Sequence, residues 1–198
     1  GEYADREVER LCGQLDIAKI LGAKVMRHDV CSALGKDSDS RSFIMMLPTL
    51  AENARRVSEY GASLGIKTCS ENHGTVAQDS YRVEMLFSAV AHDNYGLLVD
   101  MGNFACVDED SATAVSRVAP YAIHVHAKDF LIHNFDENYP TGILTRGCRR
   151  LVGCAVGEGD IPVKRCLSIL NKAGYDGYVS IEFEGPNDCI EGIRKGID

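Results

Sequence analysis

Five short apolar runs recur along the chain, each preceded by a segment of helical periodicity, and this alternation restricts the fold more than any other feature. "DREVERLCGQLDIAKILGA" leads to "KVMRHDV", and "SFIMMLPTLAENARRVSEYGASLG" leads to "IKTCSENHG". "DSYRVEMLFSAVA" leads to "YGLLVDMGN", "DEDSATAVSRVA" to "YAIHVHAKD" and "IPVKRCLSILNKAG" to "GYVSIEFEG". Strands that alternate with helices lie parallel, because a helix must carry the chain back to the start of the next strand. The fold class is therefore α/β, with an open doubly wound sheet or a (β/α) barrel as the two architectures. Pro48 is expected at a helix start or kink. The stretch 131–160 reads as loop-rich, and Asp160 as the N-cap of the helix after it. No linker or low-complexity segment interrupts the 198 residues, so one domain, 1–198, is expected.

Charge and cysteine usage narrow the functional classes. The formal net charge is −8, with no basic stripe, which argues against a nucleic-acid or membrane-surface partner. No apolar run is long enough to span a bilayer and no secretory signal opens the sequence, so a cytoplasmic location is expected. The eight cysteines stand singly with no CxxC pair, which speaks against a structural zinc site and for thiols used as small core fillers.

The polar residues fall where apolar strands end. Glu71, Asp100, His126 and Glu182 lie near the C-terminal ends of four of the five strands. In a (β/α) barrel those ends converge on the active site. Buried charge there needs partners or a metal. Two glutamates, one aspartate and one histidine form an oxygen and nitrogen donor set suited to Mn²⁺, Mg²⁺ or Co²⁺, with Zn²⁺ as a further candidate. Taken singly, each has a plain structural alternative: Asp100 in "DMGN" can form a turn, and His126 can be a backbone-bonded core histidine. Four such groups on successive strands favour the cluster. In "YAIHVHAKDF" alternation puts His124, His126 and Lys128 on one face. His126 is the candidate ligand, His124 lies deeper, and Lys128 is expected at the mouth.

The motifs "SENHG", "LLVDMGN", "HVHAKD", "VGEGDIP" and "GYVSIEFEG" resemble, in order and approximate spacing, those of the xylose isomerase-like TIM barrels. That superfamily includes sugar-phosphate isomerases and epimerases, inosose dehydratases, hydroxypyruvate isomerases and apurinic endonucleases. The resemblance implies a (β/α)8 TIM barrel of which this chain supplies about strands 4–8. It implies one divalent metal ion, Mn²⁺ foremost, held by Glu71, Asp100, His126 and Glu182, with Glu184 as the fallback for Glu182. Glu71 and Glu182 would also be the acid/base pair, one removing a proton next to a carbonyl and the other returning it, through an enediolate. His73, Asn103 and Lys128 would contact substrate. Asn103 stands where several relatives carry a histidine, and an amide cannot shuttle a proton at neutral pH.

The implied function is a metal-dependent sugar or sugar-phosphate isomerase or epimerase of carbohydrate metabolism. The alternatives are an inosose dehydratase-type lyase on the same site and a non-catalytic or subunit barrel. An endonuclease is disfavoured, since "GCRRLVGCAVGEG" offers no additional histidine or aspartate ligands and the acidic charge does not suit duplex DNA. The expected partner is a small sugar or sugar phosphate. Five strands do not close a barrel and would leave sheet edges open, so either a further N-terminal segment or another chain is expected to complete the fold, and a homo-oligomer is the expected assembly.

Overall fold

Residues 2–31, 42–134 and 141–197 are described in the structure, a computed structural model. The chain divides into two compact units, Gly1–Leu98 and Val99–Asp198.

The first unit contains α1 (Glu2–Ile20), β1 (Val25–Arg27), α2 (Phe43–Leu64), β2 (Lys67–Glu71), α3 (Ser80–Val90) and the first residues of β3 (Tyr95–Asp100). β1, β2 and β3 are parallel neighbours in that order, with Val25 opposite Lys67 and Glu71 opposite Leu98. The helix boundaries follow from local chemistry. Ser42 caps α2 by accepting the Met45 N–H at 3.3 Å, and the helix stops at Gly65, whose φ of 70° suits a residue without Cβ. Asp79 caps α3 by accepting the Arg82 N–H. Apolar residues at helical spacing bring Val8, Leu15 and Ala18 of α1 against Val57 of α2 and Ile66. Each large side chain fully buried this way contributes about 1.5–3 kcal/mol. Of the two places expected for Pro48, the helix start is excluded: it lies inside α2, five residues past the first helical residue. A proline there forfeits one backbone bond, and the cap at Ser42 with the apolar face of the helix offsets that loss.

The second unit contains the end of β3, α4 (Ser111–Val118), β4 (Ala122–Ala127), β5 (Asp129–His133), β6 (Ile143–Leu144), β7 (Arg150–Cys154), α5 (Val163–Lys172), β8 (Val179–Ile181) and α6 (Cys189–Ile197). β4 lies between the end of β3 and β8, with Val125 opposite Val179 and the Met101 N–H donating to His126 O at 3.1 Å. The α/β class and its five sheet strands are those expected from the sequence.

Two readings of this unit, and one of the cysteines in both units, are amended. The loop-rich stretch 131–160 also carries the strands of a small antiparallel ribbon, β5-β7-β6, in which Asp129 pairs with Cys154 and His133 with Arg150; residues 135–140 of that stretch lie outside the described residues. Asp160 does not cap α5. The helix begins after Pro162 with no side-chain cap, and the Asp160 carboxylate instead accepts the Ile132 N–H at 2.8 Å. The cysteines are only partly core fillers: Cys69, Cys154 and Cys166 are buried, whereas Cys148 and Cys189 are exposed. Among the described residues no helix is long and apolar enough to cross a membrane.

Candidate metal centre and its surroundings

In the second unit three parallel strands deliver polar groups to one place. Asp100 is the last residue of β3, His126 the fifth of six in β4, and Glu182 directly follows β8. The Glu182 N–H still donates to Ala127 O at 3.0 Å, so the residue is held by the sheet although it lies one position past the strand. Asp100, His126 and Glu182 each offer a ligand atom, and these lie within 4.8 Å of one another. His126 Nδ1 is 3.0 Å from Glu182 Oε2 and 3.7 Å from Asp100 Oδ2.

Asp100 combines the two roles that its sequence left open. Its Oδ1 accepts the N–H groups of Gly102 and Asn103, each at 2.8 Å, and so makes the turn in "DMGN". Its Oδ2 lies toward His126 and Lys128. The turn thus fixes the rotamer that presents the second oxygen.

Lys128 is the feature the sequence placed differently. It is 3% exposed rather than at a mouth, and its Nζ lies 2.9 Å from Glu182, 3.4 Å from Asp100 and 3.4 Å from Glu184. It also donates to Asn103 Oδ1 at 3.2 Å. Burial disfavours the ammonium, but Asp100, the bond to Glu182 and the charge of Glu184 together hold its pKa above the usual lysine range. The hydrogen bond from His126 and the charge of Lys128 hold the Glu182 carboxyl well below the usual carboxylate range. Gly102 allows this close packing: a Cβ there would stand 3.0 Å from each of Lys128 Cβ, Cγ and O, tighter than an ordinary van der Waals contact. His124 is half-buried and bonded through Nε2 to Ser180 Oγ at 2.9 Å, away from the carboxylates.

The first unit holds the remaining expected residues. Glu71, the last residue of β2, is buried, and Arg27 Nε lies 2.9 Å from its Oε2. Arg27 also donates to Asp29 Oδ1 at 2.9 Å, and His73 Nδ1 lies 3.4 Å from Asp29 Oδ2 with nearly half of its side chain exposed. Arg27 was missed in the sequence. It stands at the end of β1 as Glu71, Asp100 and His126 stand on their strands, and that positional signal identifies it.

Residues 1–198 match the family model described as xylose isomerase-like TIM barrel. An inosose dehydratase of Lacticaseibacillus casei is 26% identical over 137 residues, covering 68% of this chain and 46% of that protein. An inosose isomerase of Halalkalibacterium halodurans is 30% identical over 152 residues, covering 76% of this chain and 49% of that protein. The chain thus spans about half the length of these curated relatives. Among solved structures, a xylose isomerase-like TIM barrel protein from Mycobacterium smegmatis in complex with magnesium superposes with a TM-score of 0.75 at 16% identity, covering 97% of this chain and 64% of that one.

Proposed function

This chain belongs to the xylose isomerase-like TIM barrel family, and on that premise we propose that it is a divalent-metal-dependent enzyme acting on a sugar or sugar phosphate, with proton abstraction next to a carbonyl as the first chemical step. The observation that carries the proposal is the convergence of Asp100, His126 and Glu182 from three strands. Carboxylate and imidazole donors together fit a hard or borderline divalent cation. Glu71, which ends β2 as Asp100 ends β3, completes the proposed ligand set. Mn²⁺ is the proposed ion, with Mg²⁺, Co²⁺ and Zn²⁺ as alternatives.

When bound, such a cation supplies positive charge for the oxyanion that develops as the carbon acid ionises. The protein's own residues do the rest. Glu182 and Glu71 form the proposed acid/base pair, one accepting the proton from carbon and the other returning a proton to give the isomer or epimer. His126 steadies Glu182 by its 3.0 Å bond, and Lys128 offsets the charge of the carboxylates around it. Lys128, Asn103 and His73 are the proposed substrate contacts, and the Lys128 ammonium, already engaged by Asn103 and Glu182, would have to share or exchange one of those contacts to reach substrate.

A second reading, a dehydratase that expels water after the same proton abstraction, is favoured by the likeness to inosose dehydratases. The product decides between them. Metal analysis of the purified protein, followed by a panel of ketoses, aldoses and inososes in deuterium oxide, is the test. Deuterium at the carbon next to the carbonyl with unchanged composition supports the isomerase or epimerase, and loss of one water supports the lyase. Glu182→Gln is expected to lower the exchange rate by about 10²–10⁴-fold, the range for removal of a positioned acid or base. A rate equal to wild type for Glu182→Gln or Glu71→Gln sinks the two-glutamate mechanism. We further propose a cytoplasmic homo-oligomer that takes a small sugar rather than nucleic acid or a membrane as its partner; sedimentation tests the assembly, nucleic-acid titration the partner, and cell fractionation the location.

A further inference from the structure

The residue after Lys128 sits in an arrangement that the proposed chemistry does not use. Asp129 is 1% exposed, and its carboxylate collects four backbone N–H groups. Oδ1 accepts from Phe130 at 2.9 Å and Ile161 at 3.1 Å. Oδ2 accepts from Gly157 at 2.8 Å and Gly159 at 3.0 Å. Three of these donors belong to the segment "GEGDI", so one side chain gathers that loop onto the start of β5. The loop is shaped for the clamp. Gly157 has a φ of 94°, and a Cβ on Gly159 would fall 2.2 Å from Asp129 Oδ1, so no other residue fits there without moving the carboxylate. Asp160 seals the same junction, its N–H donating to Phe130 O at 2.8 Å while its carboxylate accepts from Ile132.

The clamp lies where the chain changes partners. β4 ends at Ala127, β5 begins at Asp129, and Lys128 alone joins the parallel strand to the antiparallel ribbon. His126 and Lys128 send their side chains to Asp100 and Glu182, while the next side chain grips the loop. A residue joining two sheets is held by neither ladder, so its direction must be set by something else. Asp129 supplies that hold from one side and the close approach of Gly102 from the other.

We propose that Asp129 is a positioning residue for the candidate metal centre: by clamping the 157–161 loop it fixes the turn at Lys128, and through it the placing of His126 and Lys128 against Glu182. The proposal rests on the reading of that centre given above. It also explains why the acid must be an aspartate rather than its amide. An asparagine has one acceptor oxygen, and its NH₂ would face two of the four N–H donors.

The test uses amide hydrogen exchange, which needs neither metal nor substrate, together with titration of Mn²⁺ alone. The Met101 N–H bonds His126 O and the Glu182 N–H bonds Ala127 O, so these two amides report on the strand that carries the centre. In Asp129→Asn, exchange is expected to rise about tenfold or more at Gly157, Gly159 and Ile161, and also at Met101 and Glu182. Mn²⁺ binding is expected to weaken by about tenfold, the lower end of what loss of a group supporting metal ligands costs. Asp108→Asn is the control. Asp108 holds Thr145, Gly147 and Arg149 at the far end of the ribbon, and loosening it should leave Met101, Glu182 and Mn²⁺ affinity as in wild type. Gly159→Ala forces the clamp apart from the loop side and replaces Asp129→Asn if that variant does not fold. Faster exchange confined to 157–161, with wild-type exchange at Met101 and Glu182 and unchanged Mn²⁺ affinity, overturns the proposal. Wild-type protein that binds no Mn²⁺ overturns the metal reading instead, and the exchange pattern at Met101 and Glu182 still decides the role of Asp129.

Discussion

A buried charge is retained only where its partners are arranged beforehand, and Lys128 is the clearest case in this protein. Three carboxylates and one amide oxygen surround its ammonium. Lys128→Met is expected to destabilise the metal-free protein by about 1–3 kcal/mol, since it leaves Asp100 buried beside uncompensated acids. The lower part of that range is weighted by Glu182 and Glu184, which are partly in water. Mn²⁺ should recover more stability in this variant than in wild type, because it restores positive charge among the same carboxylates; urea midpoints with and without Mn²⁺ provide the check.

His28 is a second residue whose surroundings set its behaviour. It is buried next to Tyr95, neither ring nitrogen has a hydrogen-bond partner among the described residues, and burial lowers its pKa to about 4. In the unfolded chain it titrates near 6.5, so between those values the unfolded state holds more protons. The stability attached to the neutral ring is therefore complete above about pH 6.5 and is lost as the pH falls toward 4, by up to about 3 kcal/mol. His28→Leu should flatten the difference between urea midpoints at pH 7 and pH 4.5; an unchanged difference rejects the assignment.

At the scale of elements, close approaches and turns matter more than propensity. Gly61, in the interior of α2, lies against the following turn: a Cβ there would stand 2.8 Å from Ile66 O, 3.0 Å from Thr68 Cγ2 and 3.3 Å from Asn94 Nδ2. Asn94 in turn bonds Ile66 O at 2.7 Å and Ser58 O at 3.1 Å. Gly61→Ala would add helix propensity on an open helix, yet here it is expected to destabilise by about 1–3 kcal/mol through overpacking. Thermal unfolding of the variant separates these signs. The five parallel strands and the helix before each of them were legible because periodicity of 3.6 or 2 is a property of neighbouring residues. The β5-β7-β6 ribbon was not, because "DFLIH" and "RLVGC" become strands only by pairing with each other across some 20 residues. Helix α6 was passed over for a related reason, since nine residues after "EFEG" form too short a periodic signal to stand alone.

For the whole molecule, β3 belongs to both compact units, its first residues paired with β2 and its end beside β4. We propose that the two units form one domain, and a single cooperative calorimetric transition is the expected result, since a shared strand cannot melt in one unit and persist in the other. Mn²⁺ at about 100 times its dissociation constant should raise stability by about 2.7 kcal/mol. EDTA should remove that gain, and Asp100→Asn should abolish it.

By itself the sequence determined the five helix-then-strand alternations, that the class is α/β, and which polar residues stand at the ends of the parallel strands, because each of these depends on spacing along the chain. Only the tertiary structure decided that Asp100 divides its two oxygens between a turn and the candidate centre, that Lys128 is buried among three carboxylates, and that Asp129 clamps a loop some 30 residues away. Those outcomes depend on distances between residues remote in sequence. They are set by where packing brings charges together once water has been excluded from between them.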